Sequence, residues 1–255
     1  IILAGGLGTR LRTVVSDLPK CMAPVNGIPF INFIISYLSQ QGVTRFIFSL
    51  GYKNEIVIEH LNKKFPGLDM EFVIEGTPLG TGGAIRKACN NVKGTDTFIL
   101  NADTIFNIDL SALSKFHIDK AADFSMALKQ MKNFDRYGSV EINTNNRLQA
   151  FNEKHQCSAG LINAGVYALK VSSLFAKALP DIFSFEKEYL QKYILTDKFY
   201  GLAFPGYFID IGIPEDYTRF IEDYNIISTK NNLHKTVTGN FVNQFFFDSL
   251  SSINK

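Results

Sequence analysis

Cysteine is scarce in this chain. Cys21, Cys89 and Cys157 are odd in number, far apart and never set as Cys-x-x-Cys. A disulfide framework and a cysteine metal cage are therefore not expected, and a reducing, cytoplasmic setting fits best. Histidine is scarce as well: His60, His117, His155 and His234 stand alone, and most of them read as surface positions. Charge of one sign is lacking too. The net charge is +2 and there is no long Lys/Arg run, so no nucleic-acid partner is expected. No apolar run reaches bilayer length and the residues show no signal-peptide pattern, so no membrane partner is expected either. There is no hexapeptide repeat of the left-handed β-helix kind. The chain opens without methionine inside a strand-like run, which predicts a natural start a few residues earlier.

What is present is an ordinary globular composition, 46% hydrophobic and 20% charged over 255 residues. That is enough for a substantial core in one domain, or in a domain with a lobe. Strand-like and helix-like segments alternate through the first half. Strands are predicted at Ile1–Ala4, Arg45–Leu50, Met70–Glu75 and Thr97–Leu100. A helix is predicted behind Pro29 as far as Gly42, a second over Asn54–Phe65 capped by Asn54, and a third over about 82–92. Such alternation implies a mainly parallel central sheet with helices on both faces, whose ligands sit beyond the carboxyl ends of its strands. After Asp103 the pattern turns to shorter segments at Phe124–Lys129, Gly138–Ile142, Leu148–Glu153 and Ile162–Leu169, read as a small antiparallel lobe. A short helix from Ser184, a strand over Leu202–Ile211 and a helix opening at Pro214 follow. From Ile226 on, the sequence becomes polar and Asn-rich, a tail of unassigned role.

The most informative stretch is Leu3-Ala4-Gly5-Gly6-Leu7-Gly8-Thr9-Arg10-Leu11, with Pro19-Lys20-Cys21-Met22-Ala23-Pro24-Val25 behind it. Glycines let backbone N–H groups approach a phosphate or a base edge, and Arg10 and Lys20 bring positive charge to the same place. This is the build of a nucleoside triphosphate site. It is neither a Walker A loop, which needs Gly-x-x-x-x-Gly-Lys-Ser/Thr, nor a dinucleotide fingerprint, since Leu11 stands where a small residue belongs. Asp103 and Asp210 each follow a strand. Carboxylates at neighbouring strand ends make an open oxygen site suited to Mg²⁺ that keeps water and takes phosphate ligands.

Taken whole, the loop and the Pro-Lys-x-Met-x-Pro-Val segment closely resemble the signature of the sugar-1-phosphate nucleotidyltransferases, and the resemblance runs to about Asn225. It implies a Rossmann-like nucleotidyltransferase fold in residues 1–225, nucleotide-binding to about 120 and sugar-binding over about 121–225, with 226–255 as the tail. The reaction implied is attack by a sugar 1-phosphate on the α-phosphate of a nucleoside triphosphate, with loss of pyrophosphate. The family motifs make Arg10 and Lys20 catalytic and Asp103 and Asp210 the magnesium ligands, with Ala102 in place of a usual glycine. Leu3, Ala4, Gly5, Gly6, Gly8, Thr9, Glu75, Gly80 and Asn101 would bind the nucleotide. Glu75 as an ionised acceptor suits the two adjacent donors of guanine, although a solvated strand-end glutamate would look the same. Phe151-Asn152-Glu153-Lys154-His155 matches Phe-x-Glu-Lys-Pro with His155 replacing proline, so Glu153 and Lys154 would bind the sugar and its phosphate, with Gly138 and Asn163 beside them. Phe134–Gly138, Phe183–Glu186 and Phe208–Tyr217 look most like the branch that makes GDP-D-glycero-D-manno-heptose.

Other readings stay open. The same chemistry could serve another base or sugar, such as mannose 1-phosphate with GTP or a hexose 1-phosphate with UTP, dTTP or CTP. A glycosyltransferase would commonly show Asp-x-Asp, where this chain has Asp103-Thr104-Ile105. A non-catalytic nucleotide-sugar sensor would be expected to have lost Arg10, Lys20 or an aspartate, and all are present. The expected partners are a nucleoside triphosphate and a sugar 1-phosphate, and the reading leaves room for a homo-oligomer.

Overall fold

A computed structural model describes residues 1–6, 9–11, 13–15, 17–230, 237–238, 241–242 and 244–253. It is a mixed α/β structure, as the strand–helix alternation predicts, and it divides into two compact units. One unit holds Ile2–Ile74, Ala102–Asn107 and Gly206–Lys255; the other holds Ile1, Glu75–Asn101 and Ile108–Pro205. Among the described residues no helix is long and apolar enough to cross a membrane.

In the first unit, strands Ile2–Ala4, Arg45–Leu50 and Asp69–Ile74 lie parallel, with Leu3 opposite Ser49 and Ser49 opposite Val73. Phe46, Ile47, Phe48 and Leu50 are all buried, the near-continuous apolar run expected of a strand covered on both faces. Helix Phe30–Gln40 begins directly behind Pro29 and buries every residue from Phe30 to Leu38. Helices Pro214–Lys230 and Gln244–Ile253 pack against it, so Phe33 meets the rings of Phe220 at 5.3 Å and Phe246 at 5.6 Å. Helix Asn54–Lys64 buries only Val57 and Leu61. Asn54 is not its cap, contrary to the sequence reading. Lys53 takes that place with φ 50°, and the Asn54 side-chain Nδ2 donates instead to the Gly51 carbonyl at 3.2 Å.

A further correction concerns Leu202–Ile211, which is not one strand. Phe199–Ala203 ends before Pro205, and Phe208–Asp210 belongs to the first unit, antiparallel to Thr104–Phe106. Pro205 has no N–H to offer a ladder, so the pairing stops there. The small ladder sets Asp210 opposite Thr104, and the Ile211 amide donates to the Asp103 carbonyl at 3.0 Å. The helix from Pro214 runs past Ile226 to Lys230, and the helix Gln244–Ile253 within the polar tail escapes the sequence reading altogether.

In the second unit the long strand Cys157–Lys170 pairs antiparallel with Asp96–Asn101, Phe124–Phe134 and Ser139–Ile142, and Leu148–Asn152 extends the sheet from Ser139–Ile142. Phe199–Ala203 runs parallel to Phe124–Phe134. The register shifts between Asn163 and Tyr167, a bulge that bends the strand where the sequence carries Asn163-Ala164-Gly165. Phe124, Tyr167, Phe185, Tyr189 and Phe199 form the aromatic core of this unit, with ring centroids between 4.9 and 6.5 Å apart.

Candidate active site

The first unit brings Lys20, Asp103 and Asp210 together from three distant stretches of sequence. Lys20 opens the short turn Lys20–Met22, Asp103 follows Ala102 just before strand Thr104–Phe106, and Asp210 ends its partner strand. Ala102, the departure from the family glycine, is buried, and its amide donates to the Leu3 carbonyl at 3.0 Å, so its methyl group is accommodated. The Lys20 ammonium donates to Asp103 Oδ2 and stands 3.4 Å from Asp210 Oδ1. Thr104 Oγ1 donates to Asp103 Oδ1 at 3.1 Å, and the Gly212 amide donates to Asp210 Oδ1 at 2.8 Å.

The three side chains are only 15%, 29% and 24% exposed, so solvent screens them incompletely. Two carboxylates against one ammonium leave the cluster one negative charge in excess. At an effective dielectric of ~20, unit charges ~4 Å apart interact by ~4 kcal/mol, so a further cation is attracted here. The donors are hard oxygens, partly open to water and already gathered around positive charge, which is chemistry that fits Mg²⁺. Cys21, next to Lys20, does not add a nucleophile. Burial, reinforced by the negative charge of Asp103, pushes its thiol up to about 12.

Leu3 and Ala4 close the first strand, with Gly5 and Gly6 behind them; Thr9 and Arg10 lie in the turn Thr9–Leu11, where Arg10 is exposed. Gly8 falls outside the described residues.

The second unit gathers the other sequence-predicted residues. Glu75 follows strand Asp69–Ile74, and its Oε2 accepts from the Leu79 amide at 3.0 Å, closing the loop that leads into helix Gly80–Cys89. Gly80 has φ +70°, and a Cβ there would stand 2.5 Å from the Phe183 carbonyl oxygen. Packing therefore demands glycine at this position whether or not a base approaches it. The segment after Phe183 also holds Thr81: the Phe185 amide donates to Thr81 Oγ1 at 2.9 Å, and Thr81 Oγ1 donates to Glu186 at 2.8 Å. This staple is a contact that the sequence does not predict. Its signal was there in Phe183-Ser184-Phe185-Glu186, which matched a family branch but suggested no contact.

Asn101, Gly138 and Asn163 also come together. The Asn163 amide donates to the Gly138 carbonyl at 3.1 Å, while Asn163 Oδ1 accepts from the Gly165 amide at 3.0 Å. The Asn101 carboxamide lies directly against Gly165, in the bulge. Glu153 and Lys154 are exposed beyond strand Leu148–Asn152, and Glu153 pairs with Lys187 at 3.0 Å. His155, in the proline position, has Nδ1 2.8 Å from the Glu153 carbonyl oxygen.

His117 is the exception among histidines read mostly as surface positions. It is 3% exposed, with Nδ1 2.8 Å from Ser125 Oγ and Nε2 3.3 Å from Asp96 Oδ1. Burial lowers its pKa despite Asp96. With Ser125 wholly buried, this is a satisfied core histidine and no substrate reaches it.

The Nucleotidyl transferase family model matches residues 1–225. The chain is 46% identical over 219 residues to the D-glycero-alpha-D-manno-heptose 1-phosphate guanylyltransferase of Aneurinibacillus thermoaerophilus, covering 86% of this chain and 95% of that one. It is 45% identical over 221 residues to the enzyme of the same name from Campylobacter jejuni, covering 87% and 97%. The crystal structure of HddC from Yersinia pseudotuberculosis superposes with a TM-score of 0.80 at 39% identity, over 88% of this chain and 97% of that one. HddC complexed with GMP-PN superposes with a TM-score of 0.79. With the family match spanning the glycine loop, Lys20, Asp103 and Asp210, this chain belongs to the nucleotidyl transferase family.

Proposed function

We propose that the chain condenses GTP with D-glycero-α-D-manno-heptose 1-phosphate, releasing pyrophosphate and forming the GDP-heptose. The observation that carries the chemistry is the Lys20 ammonium held between Asp103 and Asp210. The choice of base and sugar rests on the heptose guanylyltransferases that match this chain at 45–46% identity and on the HddC complex with GMP-PN.

In the reaction a phosphate oxygen of the sugar 1-phosphate attacks the α-phosphorus. The bond from that phosphorus to the oxygen bridging to the β-phosphate breaks, and pyrophosphate leaves with the electron pair. The sugar phosphate is already an anionic nucleophile, so no residue needs to take its proton. The obstacle is repulsion between two anions, and it is met by positioning and charge. Asp103 and Asp210 would hold Mg²⁺, which when bound neutralises phosphate charge. Lys20 turns its ammonium from the carboxylates toward the reacting phosphates, and Arg10 on the glycine loop holds the triphosphate. Gly138, Asn163, Glu153 and Lys154 bind the sugar phosphate, and Glu75 accepts from the guanine edge.

The test is pyrophosphate release from a panel of triphosphates and sugar 1-phosphates, with and without Mg²⁺. GTP with the manno-configured heptose 1-phosphate should be turned over fastest, and only with Mg²⁺ present. Faster turnover of UTP, dTTP or CTP would overturn the base assignment, and preference for a hexose 1-phosphate the sugar assignment.

A further inference from the structure

The motif Phe208-Ile209-Asp210-Ile211-Gly212 supplies more than a carboxylate. The Gly212 amide donates to Asp210 Oδ1 at 2.8 Å, which fixes the direction of the carboxylate from two residues downstream. The place where a side chain would begin is already occupied by the site. A Cβ built on Gly212 would stand 2.7 Å from Lys20 Nζ and 2.8 Å from Asp210 Oδ1. Gly212 does not take the left-handed backbone that makes glycine necessary at Gly80, so its dihedrals do not explain the residue. Space does. The first atom in the way is the far end of a flexible lysine, so a methyl group at 212 moves the Lys20 ammonium before it disturbs the backbone. Gly67, in the same unit, would meet nothing within 4 Å and serves as the neutral comparison.

We infer that Gly212 is a positioning residue. Its missing Cβ keeps open the slot in which the Lys20 ammonium sits against Asp210, and its N–H orients that carboxylate. It acts through Lys20 and Asp210 and touches no reacting atom. The kinetic part of the inference rests on the proposed function; the coupling between Gly212 and Lys20 does not.

The experiment is a double-mutant cycle of Gly212→Ala and Lys20→Ala, with Gly67→Ala as control, read by urea unfolding and, for Gly212→Ala alone, by steady-state kinetics. Gly212→Ala should move the urea midpoint down when Lys20 is present and by less than half as much when residue 20 is alanine. Its kcat should fall ~10- to 100-fold, the scale of a displaced charge contact, with KM for GTP changing less than ~3-fold. Gly67→Ala should match the unmodified chain in both. Equal midpoint shifts in the two backgrounds would make Gly212 a turn residue only and overturn the inference, as would an unchanged kcat in an enzyme that turns over. If Gly212→Ala alone does not fold, folding of the double variant supports the slot, and its failure to fold overturns it. If the unmodified chain releases no pyrophosphate with any substrate pair, the functional reading falls while the cycle still decides the coupling.

Discussion

Asp103 and Asp210 share one ammonium, and that sharing decides what single substitutions do. Asp103→Ala or Asp210→Ala leaves Lys20 one carboxylate and removes an oxygen that, in the proposed function, would hold a divalent cation. Turnover should vanish while circular dichroism stays unchanged; near-normal magnesium-dependent pyrophosphate release in either variant would sink the metal assignment. Arg10→Ala should lower kcat by ~10²–10³, as when a charge contact made in the transition state is lost. A rise in KM with kcat intact would make Arg10 a binding residue instead. In the proposed function Glu75 would carry two jobs, because its carboxylate already holds the Leu79 amide. Glu75→Gln keeps a carbonyl acceptor for that amide and loses the charge. Its preference for GTP over UTP should fall by ~10-fold or more in kcat/KM, since hydrogen bonds to charged groups contribute ~1.5–3 kcal/mol, while the melting temperature changes little.

At the scale of elements, helix Gly80–Cys89 and the π-helical turn Phe185–Gln191 are locked together through Phe183, Thr81 and Glu186. Gly80→Ala meets a double obstacle, a positive φ and the Phe183 carbonyl. It should cost at least ~1–3 kcal/mol in urea unfolding, the range for a residue forced into sparsely populated backbone. A loss under ~0.5 kcal/mol would show that the two segments part easily. The sequence predicts this helix over about 82–92, two residues late at its start, and predicts no contact with the segment after Phe183. Contacts between residues about 100 positions apart leave no periodicity in either stretch.

Over the whole molecule, two features depend on the completed fold. The first is the C-terminal helix Gln244–Ile253, whose Phe246 is fully buried with rings of Phe33, Tyr224 and Phe220 around it. Phe246→Ala should cost ~3–5 kcal/mol in denaturant unfolding, the range for truncating a core aromatic. The second is acid sensitivity. Burial holds the pKa of His117 below its ordinary value, and His60, beside Asn32, is shifted the same way by burial. Below about pH 6.5 the unfolded chain binds protons that the folded chain refuses, so stability should decline as pH falls from there and level off below the folded-state pKa. His117→Gln should flatten that decline in urea titrations at pH 5–6.5, leaving the part due to His60. An unchanged slope would show that His117 does not titrate with unfolding.

The family, the strand Arg45–Leu50 and, one residue out of step as Met70–Glu75, the strand Asp69–Ile74 were legible in the residues alone, as was the pairing of Asp103 and Asp210 with strand ends. Each is written in adjacent residues, as a motif or a period. Three features emerge only on folding: Lys20 lies between those aspartates, Phe208–Asp210 pairs with Thr104–Phe106 and not with the neighbours of Phe199–Ala203, and the polar tail contains a helix that buries Phe246, Phe247 and Leu250. The interior place of His117 among histidines read mostly as surface positions emerges in the same way. The physical reason is the same in each case. A hydrogen-bond partner or a core neighbour is chosen by folding from anywhere in the chain, and the choice carries no mark in the local residues that receive it.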